Sequence, residues 1–170
     1  MKIAIAALLM ATGTVFILTG CEVDARPAAV TVPADSAAGE VDFQLTGPGG
    51  AAMLVPVHIN GEGPFDFVLD TGATLVCLDE RLIERLAVPI DSRRSGIGAG
   101  IEGTGQIQLV RLDSVRIGAA EAEELSACVL DLAHTEALGI EFDGLIGLNF
   151  LREFHVTLDF ARNVMILQSL

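Results

Sequence analysis

The 170-residue chain is short of positive charge: one lysine, Lys2, and nine arginines face 23 acidic residues, for a formal net charge of −13. Nucleic acids and acidic membrane surfaces recruit proteins through positive charge, so neither fits as a partner. Histidine is scarce as well. His58, His134 and His155 stand at no metal-ligand spacing, and no Cys-x-x-Cys accompanies them, so neither a metal nor another cofactor is expected. The chain has no Gly-x-Ser-x-Gly elbow and no phosphate-cradling glycine loop with its lysine, which removes the signatures of serine hydrolases and phosphate-binding loops. No internal repeat of useful length appears, and the apolar run from Ile3 to Leu18 is too short to span a bilayer comfortably.

That run follows Met1-Lys2 and ends in Leu18-Thr19-Gly20-Cys21. One positive charge, a short apolar segment and small residues before a break describe an export signal. Leu-Thr-Gly-Cys further resembles a bacterial lipobox, in which cleavage precedes the cysteine and its sulfur receives a diacylglyceryl group. Residues 1–20 are therefore expected to be a lipoprotein signal peptide. The mature protein, 150 residues (170 less 20) starting at Cys21, is expected to be exported and lipid-anchored in the bacterial cell envelope, facing the periplasm. A plain cleaved signal and an uncleaved anchor are the alternatives. Loss of Lys2 leaves nine arginines against 23 acids, a side-chain charge of −14 (9 − 23).

Residues 21–40, rich in Ala, Pro, Asp, Glu and Ser without an apolar period, read as a flexible tether. Residues 41–170 are one domain's worth of chain, enough to bury a core. Short apolar segments separated by turn residues dominate, at 41–46, 51–60, 65–70, 74–78, 104–112, 126–131, 155–160 and 163–168. Asp79 to Leu86 has a capping aspartate and apolar residues at helical spacing, and a turn or two of helix is expected at 149–153. The fold class is all-β with one or two short helices. Glu121-Ala122-Glu123-Glu124 reads as a solvated loop face. Cys77 and Cys128 sit in apolar strand-like runs, where an exported protein can pair them or leave them as small buried hydrophobes.

One segment carries chemistry. Phe67-Val68-Leu69 delivers Asp70 into Thr71-Gly72-Ala73-Thr74, and Leu75-Val76-Cys77-Leu78 leads away. An apolar strand thus ends in a carboxylate at a tight break, where burial and hydrogen bonds control protonation. Upstream, Val55-Pro56-Val57-His58-Ile59-Asn60-Gly61-Glu62-Gly63-Pro64-Phe65 reads as strand, Asn-Gly turn and strand, with Gly63-Pro64 implying a longer loop. Downstream stands Phe142-Asp143-Gly144-Leu145-Ile146-Gly147-Leu148-Asn149-Phe150-Leu151. Between them Ser95 to Gly105 has glycine at five of eleven positions. At about 1 kcal/mol each relative to alanine, so many glycines exclude a helix interior and suit a hairpin or an ordinary loop.

In this order the motifs resemble the retropepsin-like aspartic peptidases, the single-lobe relatives of pepsin, over about residues 41–170. The resemblance implies a closed β-barrel or sandwich lobe with a flap hairpin formed by Gly96, Ile97, Gly98, Ala99, Gly100 and Ile101. With no Tyr or Trp in the chain, a pepsin-style flap tyrosine is excluded. Asp70 is then the catalytic residue. Thr71 would interlock the two loops of a dimer, Gly72 would aim an N–H at the carboxylates, Ala73 would lie near substrate and Thr74 would brace the loop. Leu145, Ile146 and Gly147 would pack beneath it, and Leu75, Ile97 and Leu145 would line subsites for an extended peptide.

Such peptidases need two carboxylates sharing one proton, because like charges about 3 Å apart cannot both ionise. This chain has a single Asp-Thr-Gly, so the resemblance implies a homodimer with one Asp70 from each protomer, acting on peptide or protein substrates. By resemblance, Val164 to Leu167 is a terminal strand of the dimer sheet. The alternative is a non-catalytic envelope lipoprotein that binds a peptide or protein partner through the same fold. A structural β domain with a chance motif is the blandest reading.

Overall fold

The computed structural model describes residues 25–32, 39–100, 103–133, 135 and 140–170. The expected signal peptide and Cys21 lie outside them, as do His134 and Ile101. Among the described residues are twelve strands and two short helices. The large sheet runs β1 (Ala29–Thr31), β9 (Ala120–Leu130), β6 (Val76–Asp79), β10 (Gly144–Ile146), β5 (Glu62–Leu69), β4 (Ala52–Ile59), β8 (Gly103–Ile117) and β7 (Ile90–Gly100). β3 (Gln44–Thr46) adds to β4. β8 pairs with β4 and β7 and also with β9, which closes the sheet into a barrel. A smaller sheet joins β11 (His155–Asp159), β12 (Val164–Gln168) and β2 (Glu40–Asp42).

Alternation decides which face is inside. Along β4, Met53, Val55, Val57 and Ile59 point inward, with a half-buried residue between each pair, as a strand with one buried face requires. Phe65 and Phe67 of β5 meet them, and Phe67 is fully buried, worth about 2–3 kcal/mol relative to exposure. The β4–β5 connection is shorter than the sequence suggests. Ile59 pairs with Glu62 across Asn60 and Gly61, both at positive φ (52° and 82°), the geometry of a two-residue hairpin turn. Gly63-Pro64, a cis peptide, lies inside β5 opposite a register shift between Val57 and Ile59.

Helix α1 (Glu80–Arg85) begins where expected, with the Asp79 carboxylate accepting from the Arg81 N–H at 2.9 Å. That carboxylate is buried and also takes the Arg81 guanidinium (2.7 Å) and the Leu132 N–H (3.0 Å). Burial alone would raise its pKa, but these bonds and the Arg81 charge hold it below the ordinary aspartate value. His58 in β4 has a buried Nδ1 without a partner. Burial, and then the Arg116 charge, lower its pKa.

Two expectations are corrected. Glu121 to Glu124 is not a loop: it lies within β9, with Ala122 buried and Glu121, Ala122 and Glu123 paired to both β1 and β8. Acidic side chains flank small inward alanines, so the polar letters hide a strand. Part of the stretch read as a tether also belongs to the sheet. Ala29–Thr31 pair with Glu121–Glu123, the Ala28 N–H donates to the Glu123 carbonyl at 2.8 Å, and Val30 and Val32 pack on the core.

Candidate active site

The Asp70 loop exists because a third strand is threaded between the two strands that flank it. β5 runs into Asp70 and β6 runs out, and β10 lies between them, parallel to β5 (Ile146 opposite Leu69) and antiparallel to β6 (Leu145 opposite Cys77). The chain must therefore open into a loop over the end of β10. Three backbone bonds fasten that loop from beneath. The Asp70 N–H donates to the Ile146 carbonyl (3.0 Å), and the Leu148 and Asn149 N–H groups donate to the Ala73 (2.8 Å) and Thr74 (3.0 Å) carbonyls. The last two come from the start of helix α2 (Leu148–Leu151), whose cap is Gly147.

Close approach fixes the residue types. A Cβ at Gly147 would fall on the Leu75 carbonyl and within 2.9 Å of the Ala73 carbonyl oxygen, and one at Gly144 would overlap the Cys77 carbonyl and the Phe67 ring. Glycine at these positions is a packing requirement. Within the loop the Ala73 N–H donates to the Asp70 carbonyl (3.2 Å), and the Gly72 N–H donates to Asp70 Oδ1 at 2.8 Å. An N–H aimed at the carboxylate sets its orientation. Asp70 itself is half-buried and Thr71 is exposed, so the loop holds its carboxylate from below and offers it outward.

The structure thus brings Asp70, Gly72, Ala73 and Thr74 together with Ile146 and Gly147. It places two residues differently from the expectation that they border a substrate. Leu75 and Ala73 are both fully buried, in a cluster with Cys77, Leu109 and Cys128, against which Leu145 also packs. Leu75 therefore supports the loop and lines no open subsite. The described part of the expected flap, Gly96 to Gly100, lies in β7 and pairs with β8, with Ser95 opposite Gln108, Gly98 opposite Gly105 and Gly100 opposite Gly103.

Two supports were not identified from sequence, and a third was left open there. Asn149, buried within α2, accepts from the Val76 N–H with Oδ1 (2.8 Å) and donates from Nδ2 to the Ser126 carbonyl (2.8 Å). It joins α2 to both β6 and β9. Asp143 links the middle of β5 to the far end of β6: its N–H donates to the Asp66 carbonyl (2.7 Å), its Oδ2 accepts from the Asp66 N–H (2.9 Å), and its carbonyl accepts from the Asp79 N–H (2.8 Å). Cys77 and Cys128, register partners on β6 and β9 with Cα atoms 4.4 Å apart, form a disulfide, which resolves the open question of their pairing. Leu148 is 40% exposed although its N–H is fixed to the loop.

A cavity of about 260 Å³ lies elsewhere, lined by Arg81, Leu82, Arg85, Glu141, Phe142 and Asp143. It adjoins α1 and the end of β6 remote from Asp70, so it is not the site of the loop's chemistry. Among the described residues no group of three or more His, Cys, Asp and Glu side chains could hold a metal, and no helix is long and apolar enough to cross a membrane.

Comparison with known proteins bears on this geometry. The family model for gag-polyprotein putative aspartyl proteases matches residues 55–153, more than half of the chain and inclusive of the Asp70 loop, β10 and α2. Among solved structures the chain is similar to a retropepsin-like aspartic protease from Rickettsia conorii. The TM-score is 0.51 at 18% identity, over 83% of this chain and 94% of that one, a likeness of fold. No curated protein matches the chain.

Proposed function

Because the chain belongs to the family of gag-polyprotein putative aspartyl proteases and has the retropepsin-like single-lobe fold, we propose that it is an endopeptidase active as a homodimer, with one Asp70 from each protomer. The observation that carries this reading is the loop itself: a single half-buried carboxylate, oriented by Gly72 and fastened to β10 and α2. One such carboxylate is half of an acid–base pair. Two brought together about a twofold axis share a proton. The ionised member takes a proton from a bridging water, the water attacks the peptide carbonyl, and the protonated member donates to the carbonyl oxygen.

Exposed Thr71 on the loop and exposed Leu148 bonded to it supply a polar and an apolar group for the second protomer to meet. The β7–β8 hairpin is the element to close over extended peptide. Export and lipidation at Cys21 complete the reading and place the enzyme in the cell envelope, held at the membrane through its N-terminal lipid alone. The test is sedimentation equilibrium of residues 22–170 beside the Asp70→Asn variant, with cleavage of a denatured protein from pH 4 to 7. The expected result is a dimer that cuts, with cutting lost and dimerisation kept in the variant. A monomer inactive at every pH and concentration would refute it.

A further inference from the structure

The first described residue, Ala25, lies beside the Asp70 loop. Ala25 packs against the cluster of Ala73, Leu75, Cys77, Leu109 and Cys128, and residues 28–31 are bonded along the edge of β9. Had residues 21–40 been a free tether, nineteen residue steps would have let the domain roam to about 65 Å from its anchor. Docking of 25–31 removes that freedom. Four steps separate Cys21 from Ala25, at most about 14 Å of extended chain. β1 and β6 lie end to end along one edge of β9, opposite Glu121–Glu123 and Ala127–Leu130. The packing of Ala25 on the cluster that holds Ala73 and Leu75 adds about 10 Å, the scale of two strand spacings, to the loop.

Resting on the reading of the chain as a Cys21-lipidated endopeptidase, we infer that its substrates are the membrane-proximal stems of other membrane-anchored proteins. The short leash holds Asp70 within about 25 Å of the bilayer. Extended segments within that layer meet the enzyme at high effective concentration, because both partners are confined to one surface. Segments standing farther from the bilayer, or freely soluble, do not. The charge of −14 on the mature side chains gives the domain no attraction of its own for acidic headgroups, so the leash alone sets the height.

The experiment uses the full lipidated chain in vesicles with a single-span reporter. The reporter carries one unfolded segment, chosen because the protein cuts it in solution, either next to the bilayer or beyond a helical spacer of about 40 residues and 60 Å. The near segment is expected to be cut at least about ten-fold faster. Inserting about 30 Gly-Ser residues between Cys21 and Ala25, which extend to roughly 100 Å, is expected to bring the two rates within about two-fold. Equal rates with the natural leash would overturn the inference.

A second readout needs no catalysis. The chain has no tryptophan, so Leu148→Trp beside the loop and Glu62→Trp, roughly 26 Å away at the other end of β5, each introduce a single energy donor. Transfer to headgroup-labelled lipid is expected to be stronger from position 148 and to fall on linker insertion. No excess at 148 overturns the placement. Failure to cut any segment in solution, with that excess present, instead refutes the endopeptidase reading.

Discussion

Removing the Asn149 amide should uncouple the loop from the barrel. The side chain is 1% exposed and bonds two main-chain groups on different strands, the Val76 N–H and the Ser126 carbonyl, both at 2.8 Å. In Asn149→Leu the side chain keeps nearly the same volume, while both of its bonds are lost and the Val76 N–H stays buried. At about 1–3 kcal/mol for one unsatisfied buried group, the expected loss is roughly 1–3 kcal/mol. Asn149→Asp separates the two bonds. Its oxygen can still accept from Val76, but its charge faces the Ser126 carbonyl. The introduced carboxyl therefore has a raised pKa in the folded state, and its penalty is small in acid and grows as pH rises through the ordinary carboxylate range.

The assay is urea unfolding followed by far-UV circular dichroism, since the chain has no Tyr or Trp for fluorescence. It is made in the Asp70→Asn background to prevent self-cutting, at one protomer concentration because dimerisation adds to apparent stability. Asn149 also brackets Leu75, donating its own N–H to the Thr74 carbonyl on one side and bonding Val76 on the other. In active protein a loop displacement of about 1 Å should lower kcat by about 10²-fold. A loss below about 1 kcal/mol in Asn149→Leu, or an Asn149→Asp penalty independent of pH, would refute the reasoning.

The remaining predictions concern the loop's other supports. The Cys77–Cys128 disulfide spans 51 residues, so Cys77→Ala with Cys128→Ala should lower stability by about 4 kcal/mol on the chain-entropy estimate, and adding reductant should shift the natural chain's urea midpoint but not the variant's. Gly147→Ala places a methyl on the Leu75 carbonyl and should cost about 1–3 kcal/mol and most of the activity, read by unfolding and by cleavage of a denatured protein. Asp79 is held below its usual pKa by Arg81 and Leu132, so it contributes stability above the unfolded aspartate pKa that is lost as pH falls through the lower folded value. Asp79→Asn should flatten the acid limb of the stability curve. With −14 on each mature protomer, the dimer should be tighter near pH 5 than near pH 8 and tighter in salt, and sedimentation without either trend would remove that reading.

What could be read in the sequence was local. The capping Asp79, the alternation of Met53, Val55, Val57 and Ile59, and the turn at Asp70-Thr71-Gly72 are each set by neighbours a few residues away, and the structure has them as helix cap, inward face and loop. The burial of Ala73 and Leu75 was misread because an apolar residue beside a reactive one suits a subsite as well as a core. Only the passage of β10 between β5 and β6 decides which it is.

The supports that sequence reading missed or left open all act at long range. Cys77 meets Cys128 across 51 residues, and Asn149 meets Val76 and Ser126 across 73 and 23. A signal was nevertheless present. A lone asparagine inside Leu148-Asn149-Phe150-Leu151 is a polar group in a run destined for burial, and a buried amide without partners costs more than one such helical turn can offset. It had to bond to backbone somewhere. The order β9-β6-β10, which no local pattern contains, determines that the backbone is that of the strand leaving Asp70, and so makes a packing residue into one that positions the carboxylate loop.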